Sequence, residues 1–533
     1  RDLVRSRGLG DVYKRQITTF TMKYNLYIMK TSTWTQLAFC LLSSVFYACN
    51  SSHVYYLDAT SGSDQNNGTS PRSAWQSIEA LKQISLQPGD KILFKKGETF
   101  PGILEVTGKG TYTHPIIIDA YGEGNQKPCI AGNDTSMYAV RIFNSDYFTI
   151  QNLEISNTGK ERKAGRTGLK VECTDYGISH NIRINNLTIR DVNGSLVKEE
   201  GGGSGILIVN GGDSIRSRFD SLTIENCHIL RCERNAMIWS GYYDRKNWYP
   251  NKHTIVRNNL IEKVPGDGIV PIGCDSTLIE YNLMCDSPDI LPMTEAAAGI
   301  WPWSCDNTII QYNEVWGHKA PWDAQGFDSD YNCQNTLIQY NYSHDNYGGM
   351  VLICNSGNAG DYSCGNIGSI VRYNISIGDG IRPKETRQGM FSPSIHIAGP
   401  VKQTLVERNI IHANPKPSDA VDRTMITSDS WDGYADSTYF RQNIYYAAEP
   451  SHFDFTSSTR NAFEENIYIG QFKNQPESQK NKKAENIYTE KVLQESADGY
   501  KGLHCLMDST KIKEHTLHHI KPEAIKTFFQ SIF

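Results

Sequence analysis

The chain has 533 residues, of which 39% are hydrophobic, and a formal net charge of −5 at pH 7. This length suits two or three ordinary domains or one long repetitive domain. The first 48 residues hold seven Lys or Arg and two Asp or Glu, so the remainder carries 46 basic and 56 acidic side chains. Because no basic stripe remains, nucleic acid is excluded as an expected partner.

The two N-terminal segments are interpreted as processing sequence rather than as part of the fold. Residues 1–21 fit nothing downstream and read as a non-native leader of translated adapter sequence. Residues 22–49 read as an export signal, in which Lys30 precedes the apolar run 37–46. That run is too short and too sharply ended for a membrane-spanning helix. We therefore expect the protein to leave the cytoplasm.

The end of this signal resembles a bacterial lipoprotein cleavage site. Ala48 precedes Cys49, and a polar tether follows. The resemblance implies that Cys49 is acylated and that the protein is a periplasmic or cell-surface lipoprotein, touching the membrane only through this lipid anchor. Phe46 and Tyr47 depart from the usual small or aliphatic residues, so ordinary secretion stays an alternative.

The segment after the tether combines short strands with turn residues. Residues 54–59 alternate like a strand, and Ser73 to Gln76 has the S-x-x-Q form of a capping box, which predicts a short helix with Trp75, Ile78 and Leu81 on one side. Pro-Gly-Asp at 88–90 then turns into a strand. This header, YYLDATSGSDQNNGTSPRSAWQSIEAL followed by PGDKILFKKGETF, resembles the N-terminal segment of right-handed parallel β-helix proteins of the pectate-lyase-like superfamily, which are secreted and act on polysaccharides. The resemblance implies that the helix caps the open end of the coil.

A repeat begins near residue 147 and predicts the fold. It places an asparagine after each short apolar run at gaps of 23 to 40 residues, which suits one turn of three short strands plus loops. An amide ladder between turns accounts for the asparagine, and the tyrosines before it at 281, 312, 340 and 373 are expected to stack. We expect an all-β right-handed parallel β-helix over 54–470, a cap or tail over 471–533, and a monomer. The asparagines are at positions 152, 186, 226, 259, 282, 313, 341, 374, 409, 443 and 466.

A second block in each turn predicts which side chains face outward. In GLKVEC, GILIVN, AMIWSG, GIVPIG, GIWPWS, GFDSDY, GMVLIC and SIHIAG, the third and fifth residues should face away from the core, because side chains alternate across a strand. One turn then carries Asp328 and Asp330 where its neighbours carry mostly apolar or small side chains. The other outward pairs are Lys170/Glu172, Leu207/Val209, Ile238/Ser240, Val270/Ile272, Trp301/Trp303, Val351/Ile353 and His396/Ala398.

These carboxylates predict glycoside hydrolysis. Two aspartates at i and i+2 lie about 6.6 Å apart at the backbone, which suits an acid and a base acting on a glycosidic bond. An apolar stripe and a second carboxylate drive their pKa values apart, so Asp328 and Asp330 become the acid and base, in an order left open. Asp323 joins them as an orienting or catalytic group. The expected partner is a polysaccharide or oligosaccharide, without a cofactor, and the substrate-binding candidates are Trp301, Trp303, His318, His344 and His396.

Two other functions remain open. In a lyase, Asp323, Asp328 and Asp330 would hold Ca²⁺, and one of Lys319, Arg382, Lys384 and Arg387 would reach over to remove a proton. A non-catalytic glycan-binding or adhesin β-helix is the third reading. The polygalacturonase pattern of neighbouring aspartates, Gly-His-Gly and Arg-x-Lys is absent, and GFDSD with SHDN resembles glycoside hydrolase families of glycan-degrading bacteria.

The thirteen cysteines show neither CxxC nor Cys/His metal spacing, which disfavours a zinc site. Cys274, Cys305 and Cys354 fall near the same place in successive repeats and are predicted to stack in the core. Pairing of some cysteines in an oxidising compartment stays open.

Overall fold

The computed structural model describes residues 52–358, 363–383, 385, 390–413, 415, 424–477, 526, 529 and 530. The interpreted leader, the export signal with Cys49 and most of residues 471–533 lie outside this part of the chain. The described residues form an all-β parallel β-helix in which each strand pairs with the equivalent strand one turn away.

The first stack of parallel strands runs the length of the coil. Its strands alternate inward Ile or Val with outward polar residues, and Ile150, Ile184, Ile224 and Val256 lie in register in the core. Its strands are Val54–Leu57, Lys91–Lys95, Ile116–Tyr121, Phe148–Gln151, Ile182–Asn185, Thr223–Glu225, Ile255–Arg257, Leu278–Glu280, Ile309–Gln311, Leu337–Gln339, Asn366–Ile367, Ile370–Arg372, Val401–Glu407, Asp436–Arg441 and Ala462–Glu464.

The second stack follows the first after a sharp bend in each turn. Its strands are Thr99–Pro101, Cys129–Ala131, Glu154–Asn157, Thr188–Asn193, His228–Glu233, Leu260–Glu262, Leu283–Cys285, Glu314–Trp316, Tyr342–His344, Ile375–Ile377, Ile410–Ala413, Ile444–Asp454 and Ile467–Phe472. The bend residue before the buried asparagine adopts a left-handed conformation in several turns, as at Tyr281, Tyr312, Tyr340 and Tyr373.

The third stack carries the functional face. Bridges from Ile269 to Ile300 and from Ile300 to Phe327 join its two halves. The first half comprises Leu104–Val106, Tyr138–Phe143, Thr167–Thr174, Ser204–Gly211, Asn235–Ser240 and Ile269–Val270, and the second half comprises Phe327–Ser329, Val351–Cys354, Ile395–Ala398 and Thr424–Asp429. Shorter pairings involve Ile178–His180, Arg218–Asp220, Asn251–Lys252 and Cys274–Asp275, and separately Ala296–Ala297 with Trp322–Asp323.

Eight buried asparagines form a hydrogen-bonded ladder at the bend between the first two stacks. Each donates its side-chain N–H to the side-chain oxygen of the next, at 2.9 to 3.1 Å, from Asn259 to Asn466. All eight also donate to a backbone carbonyl of the preceding turn, as Asn341 does to Ile310 and Asn466 to Phe440, both at 2.9 Å. The ladder satisfies polar groups that would otherwise be buried without partners.

The alignment of Asn152, Asn186 and Asn226 with this ladder is wrong by one residue. Strand register places them beside Asn258, at the left-handed bend position, and the buried position of their turns is held by Leu153, Leu187 and Cys227. Asparagine tolerates the left-handed region, so the same residue type serves two adjacent positions for different reasons.

Outside the ladder, four tyrosine rings stack along the coil. Adjacent centroids of Tyr281, Tyr312, Tyr340 and Tyr373 lie 5.0 to 5.3 Å apart, with interplanar angles below 10°. Phe529 packs edge-on against the last two rings.

The N-terminal capping helix is not formed as predicted. Two 3₁₀ helices, Pro71–Ser73 and Ile78–Gln83, replace it, and Ser70 rather than Ser73 caps the first. Trp75 lies between them in extended conformation, bridged to Leu57, and its indole N–H donates to Asn66 O. A further 3₁₀ helix spans Arg245–Asn247. No helix among the described residues is long and apolar enough to cross a membrane.

The predicted cysteine stack holds for two of its three members. Cys274 and Cys305 lie in the core in register with Cys333, and Cys274 N–H donates to the Cys305 sulfur at 3.3 Å. Cys354 instead faces outward, in a separate cluster with Leu352 and Ala398. All ten cysteines in the described part of the chain are free thiols.

Candidate active site

A cavity of ≈ 260 Å³ opens on the outward face of the third stack. Three aspartates from one turn, Asp323, Asp328 and Asp330, line it together, and we refer to them as the acidic cluster. The remaining lining residues are Lys198, Asp267, Ala296, Ala297, Ala298, Trp301, Trp303, Tyr331, Leu352, Cys354 and Trp431.

Strand alternation brings Asp328 and Asp330 into the cavity. Phe327 and Ser329 are fully buried, so the aspartates on either side of Ser329 face outward. Asp328 lies in register with Leu352 and, one turn further, with His396. Asp328 is only 3% exposed, whereas Asp330 is half-buried at the cavity wall.

Asp323 reaches the same cavity from an irregular segment before the strand. Trp322–Asp323 pairs in parallel with Ala296–Ala297, and the next residue, Ala324, donates to Ala297 O at 2.7 Å. Asp323 and Ala324 are both left-handed, with φ of 56° and 61°. Such a conformation is costly for residues with a Cβ and is held here by surrounding contacts. One of them is Arg382, which donates to Asp323 O at 2.8 Å.

The acidic cluster favours protonation. Burial raises the pKa of Asp328 well above its ordinary value, and the neighbouring carboxylates of Asp323 and Asp330 raise it further. Burial and Asp330 raise the pKa of Asp323 to about 6, although His396 and Arg382 act in the opposite direction. Oδ1 of Asp328 is buried without a hydrogen-bond partner. Burial and the neighbouring carboxylates therefore make the cluster easier to protonate than exposed aspartates.

Asp330 is the member whose ionised form is best supported. Burial raises its pKa, but the Cys354 thiol donates to its Oδ1 at 3.0 Å and the Tyr331 backbone N–H donates at 2.6 Å, and both lower the pKa. The repeat pattern predicted Cys354 in the core, so its contact with Asp330 was not expected. In the observed strand register, Leu352 and not Val351 lies beside Asp328, and Cys354 therefore faces outward.

The same register corrects a predicted outward pair. Val351 and Ile353 belong to the main core, and Leu352 and Cys354 face the cavity. In Gly349–Cys354 the strand is displaced by one residue relative to the preceding turn, and a displacement of one residue exchanges the two faces.

A buried ion-pair network supports the cavity floor. Arg234, fully buried, donates to Asp267 and to Glu295. Asp267 Oδ1 in turn accepts from Trp301 Nε1 at 3.0 Å and from Ala298 N–H at 3.1 Å. Burial disfavours the Asp267 carboxylate, but Arg234 and Lys198 hold its pKa below the ordinary value.

The recurring pattern did not predict this network. Arg234 lies two residues before one recurring block, AMIWSG, and Asp267 lies directly before the next, GIVPIG. Arg234 and Asp267 lie on adjacent turns of the coil, since Ala236 N–H donates to Asp267 O at 2.8 Å.

Aromatic rings form the cavity walls. Trp301 is almost fully buried beside Asp267, with the Lys198 ammonium 5.5 Å from its ring centroid. Trp303 is half-buried two residues further along the chain, and Trp431 and Tyr331 also line the cavity. Flat faces around carboxylates suit a sugar ring.

His396 lies behind Asp323 rather than in the main cavity. Together with Asp323, Gln325 and Arg382 it lines a smaller adjacent cavity. Its Nε2 is 3.0 Å from Asp429 Oδ1, and Trp431 packs edge-on against its ring.

Neither His318 nor His344, both predicted to bind substrate, lines the cavity. His318 is fully buried and donates from Nε2 to Gly266 O at 2.9 Å, and burial lowers its pKa to about 4. His344 lies in the second stack, hydrogen-bonded to Glu314 and Asp345. Burial disfavours its charge, but these two carboxylates raise its pKa to about 9. Both histidines therefore have structural contacts in place of the predicted role.

Within the described residues, no group of three or more His, Cys, Asp or Glu is arranged to hold a metal ion. Arg382, a candidate base for the lyase, donates to the backbone carbonyls of Ala320, Pro321 and Asp323. Lys319 does not line the cavity, and Lys384 and Arg387 lie outside the described residues.

The fold and site define a right-handed parallel β-helix protein with an acidic cavity on one outward face. The family model for a right-handed β-helix region matches residues 204–363. Lacto-N-biosidase from Bifidobacterium longum subsp. longum is 27% identical over 437 residues, covering 64% of this chain. The match covers 26% of that protein, so the chain spans about a quarter of its length.

A solved structure supports the β-helix fold. The crystal structure of the GH136 lacto-N-biosidase from Eubacterium ramulus is 23% identical, with a TM-score of 0.56, and the match covers 82% of this chain and 70% of that one. An alginate lyase from a Paenibacillus species is 15% identical with a TM-score of 0.39, covering 64% of this chain and 92% of that one. The first of these structures supports the β-helix architecture.

Proposed function

We propose that the chain is a glycoside hydrolase that cleaves an oligosaccharide in the acidic cavity. One observation carries the proposal: three aspartates share a cavity walled by tryptophans, where burial raises their pKa values. A proton donor and an ionised carboxylate on one sugar site are what glycosidic hydrolysis needs. The similarity to lacto-N-biosidase supports the assignment and makes glycosides of lacto-N-biose the first substrates to test.

Exposure and hydrogen bonding support distinct roles within the cluster. Asp323, half-buried and with a pKa of about 6, donates a proton to the leaving oxygen. Asp330, stabilised as an anion by Cys354 and Tyr331, is the ionised partner that acts at the sugar or on the attacking water. Asp328, almost fully buried between them, stays neutral and holds the pair in place. The sequence pattern paired Asp328 with Asp330 as acid and base in either order, whereas this proposal pairs Asp323 with Asp330.

The surrounding residues complete the substrate site. Trp301 and Trp303 offer ring faces to the sugar, and Asp267 holds the Trp301 indole in position. The protein acts as a monomer outside the cytoplasm, either tethered through Cys49 or secreted, and needs no cofactor. The oligomeric state, the location and the absence of a cofactor are inferred from the sequence, and all three are compatible with an oligosaccharide substrate.

Product analysis tests the proposal. The p-nitrophenyl glycoside of lacto-N-biose and a panel of oligosaccharides and polysaccharides are incubated with wild type, Asp323→Asn, Asp328→Asn and Asp330→Asn, with and without EDTA. We expect reducing sugar without absorbance near 235 nm, unaffected by EDTA. Asp323→Asn and Asp330→Asn should lower kcat by about 100- to 10,000-fold, and Asp328→Asn less.

Asp213→Asn is the matched control, because Asp213 is an exposed aspartate on a loop outside the cavity. It should retain wild-type kcat. An unsaturated product that absorbs near 235 nm and disappears with EDTA would instead establish a calcium-dependent lyase. Glycan binding without any product would establish the adhesin.

A further inference from the structure

The aromatic wall of the cavity continues outside it. The Tyr243 ring stacks on Trp303 with centroids 5.0 Å apart and planes at 16°. Trp303 lines the cavity, whereas Tyr243 is 51% exposed and lies beyond its lining. One ring face of Tyr243 therefore rests on the cavity wall, and the tyrosine extends that wall towards solvent.

The loop that carries Tyr243 is fastened to the turn that carries Trp303. Ser304 Oγ donates to Tyr243 O, and Trp248 Nε1 donates to Ser304 O at 3.0 Å. Arg245 extends the attachment to the same turn, donating to Asp306 at 2.8 Å.

Close backbone packing also holds the loop. Gly273 is left-handed with φ of +62°, and a Cβ there would lie 2.6 Å from Tyr242 O. The tyrosine is thus held in place before any ligand arrives, which reduces the entropy lost on binding.

The size of the cavity leaves part of an oligosaccharide outside. Its ≈ 260 Å³ falls below the roughly 300–1,000 Å³ of pockets that enclose a drug-sized ligand. A substrate of three or four sugar rings therefore extends beyond the wall, and the adjoining surface on the Trp303 side carries Tyr243. Pyranose rings present an apolar C–H face, which packs on aromatic rings.

We propose that Tyr243, backed by Trp303, forms a second saccharide subsite, which binds a pyranose ring of the substrate on the leaving-group side of the cleaved bond. This inference rests on the proposed function, because the cavity must first hold the sugar at the cleaved bond. It makes the enzyme selective for longer oligosaccharides over glycosides with a small leaving group.

Binding to an inactive variant tests the subsite without turnover. In the Asp330→Asn background, Kd is measured by calorimetry for a tetrasaccharide with lacto-N-biose at its non-reducing end and for the methyl glycoside of lacto-N-biose. Adding Tyr243→Ala should weaken tetrasaccharide binding about tenfold and change methyl glycoside binding less than twofold. Tyr243→Phe should keep both affinities, since the ring face is retained.

Tyr439→Ala is the matched control, because Tyr439 is 49% exposed on a strand of the first stack. It should change neither Kd. Equal weakening of both ligands by Tyr243→Ala, or no weakening of either, overturns the subsite. Turnover by the wild-type protein separates the two proposals. If the wild type is active but Tyr243→Ala does not selectively weaken tetrasaccharide binding, the hydrolase function stands and the subsite is rejected. A selective loss of affinity in a protein without turnover keeps the subsite as a glycan-binding surface and rejects the hydrolase.

Discussion

At the residue scale, the acidic cluster lowers the stability of the fold but supplies carboxyl groups with raised pKa values. Three carboxylates in one partly buried cavity repel each other, and Asp328 lacks a partner for one oxygen. Residues that lie between two turns of a rigid coil cannot move apart to relieve this repulsion. The conflict shifts the pKa values of the cluster upward, and a raised pKa is what lets a carboxyl group act as an acid near neutral pH.

Cys354 is expected to set the pH at which Asp330 becomes ionised. Its thiol donates to Asp330 and stabilises the anion, so Cys354→Ala should raise the pKa of Asp330. Since activity requires the ionised form, the acid limb of kcat/KM should move to higher pH, by about one unit. A pH profile of kcat/KM measures the shift.

Cys354→Ser is the control for this prediction, because a hydroxyl replaces the thiol as donor. Its acid limb should stay near that of wild type. If the alanine variant keeps the wild-type limb while losing kcat at every pH, Cys354 contributes only packing, and the proposed hydrogen bond has no influence on titration.

At the element scale, the bend between the first two stacks shows how a repeated residue holds a coil together. Asn341 donates its backbone N–H and its side-chain N–H to Asn374 Oδ1, and it accepts two hydrogen bonds from Asn313. Every rung between the two ends of the ladder is thus bonded to both neighbours. Removal of one rung leaves polar groups of two other turns buried without partners, which costs more than the lost bonds themselves.

Asn341→Leu should therefore lower the free energy of unfolding by about 3 kcal/mol. Leucine has a similar volume, but its side chain can neither donate to Ile310 O and Asn374 nor accept from Asn313. Urea denaturation monitored by circular dichroism measures the change.

Asn335→Gly provides the comparison, because Asn335 also bonds to an asparagine one turn away, Asn307, but is exposed and left-handed. Glycine accepts that conformation, so the change should stay within about 0.5 kcal/mol. A loss at Asn341 no larger than this would mean that water replaces the ladder bonds at little cost.

At the scale of the whole molecule, packing and backbone pairing hold the described part of the coil, and its cysteines form no disulfides. One continuous apolar core extends from Leu57 to Phe453, and inward cysteines take part in it as small hydrophobic side chains. Burial raises the pKa of several of these thiols, as at Cys232 and Cys305, which makes them unreactive in the folded state.

Thiol titration tests this arrangement. Protein purified without reductant and unfolded in denaturant should expose at least ten reactive thiols, the ten that are free in the described part of the chain, out of thirteen in total. Reductant should leave Tm unchanged. A smaller count, together with a Tm that falls on reduction, would show that disulfides form between turns.

The sequence by itself determined the coil and the position of its acids. Alternation of inward Ile and Val with outward polar residues sets which face of a strand is buried, and the recurring asparagine marks each turn, so a parallel β-helix follows from local pattern alone. Asp328 and Asp330 stand out because they interrupt an apolar stripe within a strand. All of these are signals between residues close together in the chain.

Only the tertiary structure decided what surrounds those acids. Arg234, Asp267 and Glu295 meet from three turns, and loop length between turns displaced Gly349–Cys354 by one residue, which brought Cys354 to Asp330. His318 and His344 share a turn with the acids in sequence but lie on other parts of the coil. The physical reason is that residues in contact in a β-helix come from successive turns. The variable length of the loops sets which residues of successive turns lie on the same face.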